Sequence, residues 1–204
     1  MKKPGGILIA LGICLLVGAL GLTVYNMYDE VRAGEAAQNT LVLLQEQIVP
    51  TLAPEESMTP SLTVPQYVLT PEMEMPTARV DENGYIGILT IPSQGLELPV
   101  LAECTDRGLK LAPARFRGSA YTGDMIIAGH NYNSHFGPIS NLHLGDTVYF
   151  TDIDGNCFVY QMIDLVILGG NDLVSLESGD WDLTLFTCTW GGAERITLRF
   201  EAQK

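Results

Sequence analysis

The amino-acid sequence predicts an all-β domain, a closed barrel or a sandwich, carried behind an N-terminal membrane-spanning helix. Three observations predict it. An uncharged apolar run sits near the N-terminus, a proline-rich stretch follows some 25 residues later, and from about Val80 onward short β-type runs alternate with turn residues.

The apolar run extends from Ile7 to Tyr25, 19 residues without a charge. As a helix it measures roughly 28 Å, enough to cross a hydrocarbon core of about 30 Å. Lys2 and Lys3 precede it, and Asp29 and Glu30 follow it. The excess of positive charge on the N-terminal side places that end in the cytoplasm and the rest of the chain outside. The run is long for a signal peptide, and no small-residue cleavage site directly follows, so a retained anchor is expected.

From Tyr28 to Ile48 the period is helical. Ala37, Leu41, Leu44 and Ile48 fall on one stripe. The stripe fits either a stalk continuing the membrane helix or a helix packed on the domain. Pro50, Pro54, Pro60, Pro65, Pro71 and Pro76 then punctuate a Thr/Ser/Glu-rich stretch. Proline fixes φ and lacks a donor, so the expectation is a semi-rigid, extended tether. The chain thus divides into a cytoplasmic tip and anchor (residues 1–27), a juxtamembrane helix (28–49), a linker (50–79) and a folded domain (80–204).

Within the domain, strands are expected at Tyr85–Ile91, Leu98–Leu101, Met125–Gly129, Asp146–Thr151, Cys157–Leu168, Leu183–Cys188 and Arg195–Glu201. Asp154-Gly155-Asn156 reads as a hairpin turn. It does not match a calcium loop, which needs a glycine at its sixth position and a late glutamate, so no metal and no cofactor are expected.

The formal net charge of −13 argues against a nucleic-acid partner, which needs clustered Lys and Arg, and against a domain adsorbed on anionic lipid. The four cysteines are Cys14, Cys104, Cys157 and Cys188. Cys14 lies in the apolar run, so at least one of the other three is unpaired within the chain and a candidate reactive thiol. The sequence leaves the roles of Cys104 and Cys157 open, and both fit ordinary core positions.

Alternation along Leu183–Cys188 puts Leu183 and Leu185 on one face and Thr184, Phe186 and Cys188 on the other. In the last strand Ile196, Leu198 and Phe200 oppose Arg195, Thr197 and Arg199. A short connection makes the two strands antiparallel neighbours, so Cys188 and Arg195 share a non-core face. His130 ends the run Met125–Gly129, where a strand meets a loop. His135 and His143, nearby, read as ordinary polar loop residues.

These segments together resemble the sortase family. Ile127-Ala128-Gly129-His130-Asn131 is similar to its histidine motif, Thr184-Leu185-Phe186-Thr187-Cys188-Thr189 to its T-L-x-T-C signature, and Arg195-Ile196-Thr197-Leu198-Arg199 to its arginine strand. Gly87-Ile88-Leu89-Thr90-Ile91-Pro92 and Leu98-Pro99-Val100 resemble its opening strands. The resemblance spans roughly residues 84 to 201, in family order.

It implies a closed sortase-type β-barrel with short helices and a cysteine transpeptidase activity. Cys188 is then the nucleophile, His130 the acid/base, and Arg195 the donor to substrate and oxyanion, with Arg199 as its rival. Thr187, Ala128 and Asn131 join Arg195 as expected substrate contacts. The implied substrates are surface proteins bearing a C-terminal Leu-Pro-x-Thr-Gly-like sorting signal. The implied acceptor is an amine of a cell-wall precursor or pilin. The enzyme would be held in the lipid bilayer through residues 7–25. The short segment from Gly169 to Trp181 and the lack of a second apolar run point to class D or class A. An extracellular Cys-His peptidase or amidase, and a non-catalytic surface-binding module, are the alternatives.

The chemistry needs these residue types. A thiolate attacks the peptide carbonyl, histidine passes the proton to the leaving amine, and arginine, always charged, stabilises the oxyanion. At ordinary pKa values of about 8.5 and 6.5, only about 1% of the enzyme near pH ~7.5 would hold thiolate and imidazolium together. A bell-shaped pH profile is the expectation.

Overall fold

The computed structural model describes residues 4–48 and 64–203. Helix α1 runs unbroken from Pro4 to Ile48. It carries the apolar run and the packed segment in one continuous helix. Its N-terminal half carries the apolar run with none of the spanning window buried, while Ala33, Ala37, Leu41 and Leu44 are buried against the domain. These four recur every third or fourth residue, which keeps them on one face.

Nine strands follow: β1 (Ala78–Val80), β2 (Asn83–Ile91), β3 (Leu96–Leu101), β4 (Ala114–Arg117), β5 (Met125–Ala128), β6 (Thr147–Asp152), β7 (Cys157–Gly169), β8 (Leu183–Cys188) and β9 (Glu194–Ala202). Their order is β1-β2-β3-β4-β5-β8-β9-β7-β6, and β6 pairs back onto β2. Eight strands therefore close into a barrel, with β1 as a short extra edge. Closure removes the unpaired edges that an open sheet would expose. Two pairings are parallel, β3 with β4 and β5 with β8; all others are antiparallel. Short helices α2 (Gln66–Leu69) and α3 (Leu173–Glu177) lie outside it.

The barrel interior holds Ile86, Leu89, Val100, Met125, Ile127, Phe136, Val148, Phe150, Tyr160, Leu183, Leu185, Leu198 and Phe200, all nearly or fully inaccessible. Each such side chain contributes roughly 1.5–3 kcal/mol on burial. A second cluster, under α1, joins Leu41 and Leu44 to Val80, Tyr85, Ile88 and Leu101.

Three expectations change. The tether expected over 50–79 falls partly on residues 49–63, which lie outside the described residues. From 64 onward the chain is packed on the barrel: Tyr67 stacks on Tyr121 at 4.7 Å between ring centroids, and Met75 joins the core. The prolines stop regular structure, but the apolar residues between them still find a surface to cover. Strands β1 and β4 were not anticipated, being three and four residues long with arginines in alternation. Cys157 is exposed at the start of β7 rather than buried in the core.

Candidate active site

The site is built at one end of three adjacent strands, β5, β8 and β9. Strand β8 is buried on both faces. Leu183 and Leu185 face the barrel interior, whereas Phe186 packs outward with Ile126, Ala128 and Leu176. Phe116 of β4 meets the Phe186 ring edge-on at 5.6 Å between centroids. Cys188 lies one pleat repeat (about 6–7 Å) beyond Phe186 on the same face of the strand.

Cys188 is the last residue of β8 and is a half-buried free thiol. Directly opposite it in the antiparallel register stands Arg195. The connection is a tight turn in which Thr189 N–H donates to the Glu194 carbonyl at 2.9 Å. Gly191 and Gly192 carry φ of 94° and 74°, a region that side chains with a Cβ resist. The glycines thereby fix the register that pairs thiol with guanidinium.

Arg195 is held at its neck. Its Nε donates to the Gly170 carbonyl at 2.9 Å, and its guanidinium carbon lies 5.3 Å from the Phe186 ring centroid. Among the described residues its terminal nitrogens have no hydrogen-bond partner, so they are free to meet a peptide carbonyl. Arg199 is different. It is 4% exposed, donates from Nη1 to the Leu176 carbonyl and Thr184 Oγ1 (both 2.8 Å), and from Nη2 to the Ser175 carbonyl at 2.6 Å. It also stands 5.9 Å from the Trp181 ring centroid. Its register partner is Thr184, four residues and about 13 Å along β8 from Cys188. Arg199 ties α3 to the barrel.

His130 arrives from the neighbouring parallel strand. Ala128 is level with Phe186, and Gly129 N–H donates to the Phe186 carbonyl at 3.1 Å, extending the pairing one residue further. His130 follows as the chain leaves the sheet. Gly129 is required by close approach: a Cβ there would lie 2.5 Å from the Phe136 ring. The His130 imidazole is half-buried beside Tyr132, 5.0 Å between ring centroids. Burial first, and then the positive charge of Lys110, push its pKa below the ordinary histidine value, while Asp29 and Asp106 pull it back.

Of the other expected contacts, Ala128 is buried in one apolar cluster with Phe186, and Asn131 lines a cavity with His130. Thr187 does not belong with them. It is 1% exposed and, by alternation, on the Leu183/Leu185 face, turned away from Cys188. Cys104, expected as ordinary core, is half-buried against the Phe186 cluster, where burial raises its thiol pKa. It also lines a cavity of about 600 Å³ with Phe116, Arg115, Met73 and Met75.

Two features were missed in the sequence. His135 is fully inaccessible rather than a polar loop residue. The loop from His130 is also clamped to α1. Tyr132 Oη donates to Asp29 Oδ2 at 2.7 Å, and Asn133 N–H donates to Glu30 Oε1 at 3.0 Å. Asp29, Glu30, Asn26, His130, Asn131 and Trp190 border a cavity of about 330 Å³. The acidic pair after the apolar run was the available signal, read as a topology marker only.

Comparison with known proteins agrees with this architecture. The chain is 31% identical over 121 residues to "Sortase A" of Bacillus anthracis, covering 56% of this chain and 57% of that protein. It is 25% identical over 117 residues to "Sortase A" of Listeria monocytogenes, covering 54% and 52%. The chain thus spans little more than half the length of these curated relatives. Among solved structures, the Sortase D5 transpeptidase of Clostridium perfringens superposes with a TM-score of 0.60 at 20% identity, covering 83% of this chain and 99% of that one. Sortase C1 of Streptococcus agalactiae gives 0.55 at 24% identity, covering 62% and 71%. These likenesses establish the fold, a closed barrel shared across sortase classes. The sortase domain model itself matches residues 89–201, more than half of the sequence, and on that match the chain belongs to the sortase family.

Proposed function

We propose that this sortase is a membrane-anchored cysteine transpeptidase that cleaves a Leu-Pro-x-Thr-Gly-like sorting signal and passes the acyl group to an amine. The observation that carries the reading is the cross-strand pairing of Cys188 with Arg195, beside the loop that begins at His130. In this reading the signal peptide lies along the outer face of β8 towards Cys188, past Phe186 and Ala128, with Asn131 at its His130 end. The Cys188 thiolate attacks the scissile carbonyl, and the terminal nitrogens of Arg195 receive the oxyanion. His130 gives its proton to the departing amine, leaving a thioester. An incoming amine loses its proton to His130, attacks the thioester and frees Cys188. Thr187 is left out of the contacts.

The proposed partners are surface proteins with a C-terminal sorting signal and a cell-wall precursor or pilin amine. Residues 7–25 are the proposed membrane span, with the N-terminus in the cytoplasm and the barrel outside. Residues 28–48 then act as the arm that carries the barrel.

The test is intact-protein mass after incubation with a panel of Leu-Pro-x-Thr-Gly-like peptides. A gain equal to the N-terminal peptide fragment, absent in Cys188→Ala, supports the thioester and names the preferred signal. Turnover that releases only free acid, unaltered by added amines, would favour a hydrolase instead. An inert Cys188 would sink both.

A further inference from the structure

The lipid-facing and protein-facing parts of α1 meet where the His130 loop docks. Up to Tyr28 the helix exposes its large apolar and aromatic side chains all round, and from Asp29 onward one face is covered. No break interrupts it between Pro4 and Ile48. At 1.5 Å per residue, Asp29 therefore stands only about 6 Å along the axis beyond Tyr25, the end of the apolar run. Asp29 and Glu30 are the residues that hold Tyr132 and Asn133. The headgroup layer on each side of a bilayer is itself about 5–8 Å deep. The loop bearing His130 thus lies at headgroup level whenever Ile7–Tyr25 spans the membrane.

A second observation, from another part of the chain, points the same way. Trp190, in the turn right after Cys188, is 93% exposed, and Tyr25 and Tyr28 are 60% and 67% exposed. Trp190 shares the cavity wall with Asn26, the first residue beyond the apolar run. Two tyrosines and a tryptophan thus gather around the end of the span. Tryptophan and tyrosine concentrate at membrane–water boundaries, where a ring sits among the acyl ends and its polar atom meets the headgroups.

We propose that the bilayer surface covers this end of the barrel, with Trp190 seated in the headgroup layer and the cavity bordered by Asn26, His130 and Trp190 opening directly onto it. The occupant is a lipid surface recognised by aromatic rings rather than by charge. Asp29 and Glu30 face it, so binding should not require anionic lipid. The inference rests on reading Ile7–Tyr25 as a span, and the experiment separates the two.

The chain has two tryptophans, Trp181 and Trp190. Full-length protein and its Trp190→Phe variant are placed in zwitterionic phosphatidylcholine bilayers whose lipids carry bromine near the ester end or near the methyl end of the acyl chains. The difference between the two proteins isolates Trp190 emission even if Trp181 cannot be replaced. Ester-end bromine should remove about half of that emission, methyl-end bromine clearly less, as for an interfacial indole. A control adds Leu16→Trp to the Trp190→Phe variant, and its difference from Trp190→Phe alone isolates the emission at position 16. Quenching of Leu16→Trp without quenching of Trp190 means that the helix spans but the cavity stands clear of lipid, which overturns the proposal alone. No quenching at Leu16→Trp overturns the membrane span and the proposal with it.

Discussion

Cys188 and Arg195 are direct register partners across β8 and β9, and the guanidinium is anchored through Nε to the Gly170 carbonyl with its terminal nitrogens uncommitted among the described residues. The pair therefore needs no rearrangement to place hydrogen-bond donors beside a carbonyl under attack. Loss of a preorganised oxyanion donor usually costs about 10²–10³ in rate. Arg195→Ala should slow acyl-enzyme formation by that order. Arg195→Lys should recover little, since a lysine cannot bond Gly170 and still present two parallel donors. Both variants should unfold near the wild-type temperature. Rapid-quench mass spectrometry with thermal melts checks both halves.

Arg199 should give the opposite pattern. Its bonds to the Ser175 and Leu176 carbonyls and to Thr184 Oγ1 are inside the fold, away from the thiol. Arg199→Met would orphan those groups at about 1–3 kcal/mol for each one left buried and unpaired. Stability should fall sharply while the acylation rate per folded molecule stays within about tenfold, since no direct contact with the reacting carbonyl is lost. A greater rate loss in a variant that still folds would return Arg199 to the chemistry.

Gly129→Ala should damage the site through geometry alone. The added Cβ meets the Phe136 ring at 2.5 Å, inside any tolerated contact. Overpacking of this kind costs about 1–3 kcal/mol. The strain would be relieved by shifting the loop that begins at His130, and a displacement near 1 Å can cost about 10²-fold in rate. A variant that melts early but acylates at the wild-type rate would show that His130 is positioned by something other than this contact.

The partnership of Cys188 and Arg195 was legible because it needs only alternation and a short antiparallel connection. Both are local properties of residues 183–201. The task of Arg199 was not legible, because its two carbonyl partners lie on α3, more than twenty residues earlier, and no local pattern records that α3 folds over the sheet. The burial of His135 comes from still further away. Ala33 and Gly34 of α1 cover its loop, so the sequence around position 135 reads as polar surface while the fold makes it interior. Tyr67 and Met75 were hidden in the same way, by a composition that forbids regular structure but not packing.

Lys110 should tune the pH profile. Burial depresses the His130 pKa first and the Lys110 charge depresses it further. If catalysis uses the thiolate with the imidazolium, the active fraction shrinks as the histidine pKa falls. Lys110→Gln should raise the His130 pKa, increase the peak rate of acylation and move the optimum to higher pH. Asp106→Asn should do the reverse, because Asp106 favours the protonated ring. Rates measured across the bell decide it, and a peak rate that falls for Lys110→Gln would contradict the imidazolium mechanism.

His135 should make the docking of α1 sensitive to acid. Its ring is fully inaccessible, lies 5.5 Å from the Tyr132 ring centroid, and has neither nitrogen in a hydrogen bond; the Ala33 backbone is near but outside bonding geometry. Burial holds its pKa down at about 4, against 6.5 when exposed. The folded state thus binds this proton more weakly than the unfolded state. The stability associated with the neutral ring is present in full above pH ~6.5 and is lost progressively as pH falls towards ~4. The gap corresponds to about 3 kcal/mol. In full-length protein held in bilayers, unfolding of the barrel should show this loss between those pH values. His135→Phe, which fills the same space with no titrating group, should flatten that part of the curve while carboxylate effects at lower pH persist. An unchanged curve in His135→Phe would mean that the ring finds a partner or solvent on protonation, and that the seam between α1 and the loop opens more easily than its packing implies.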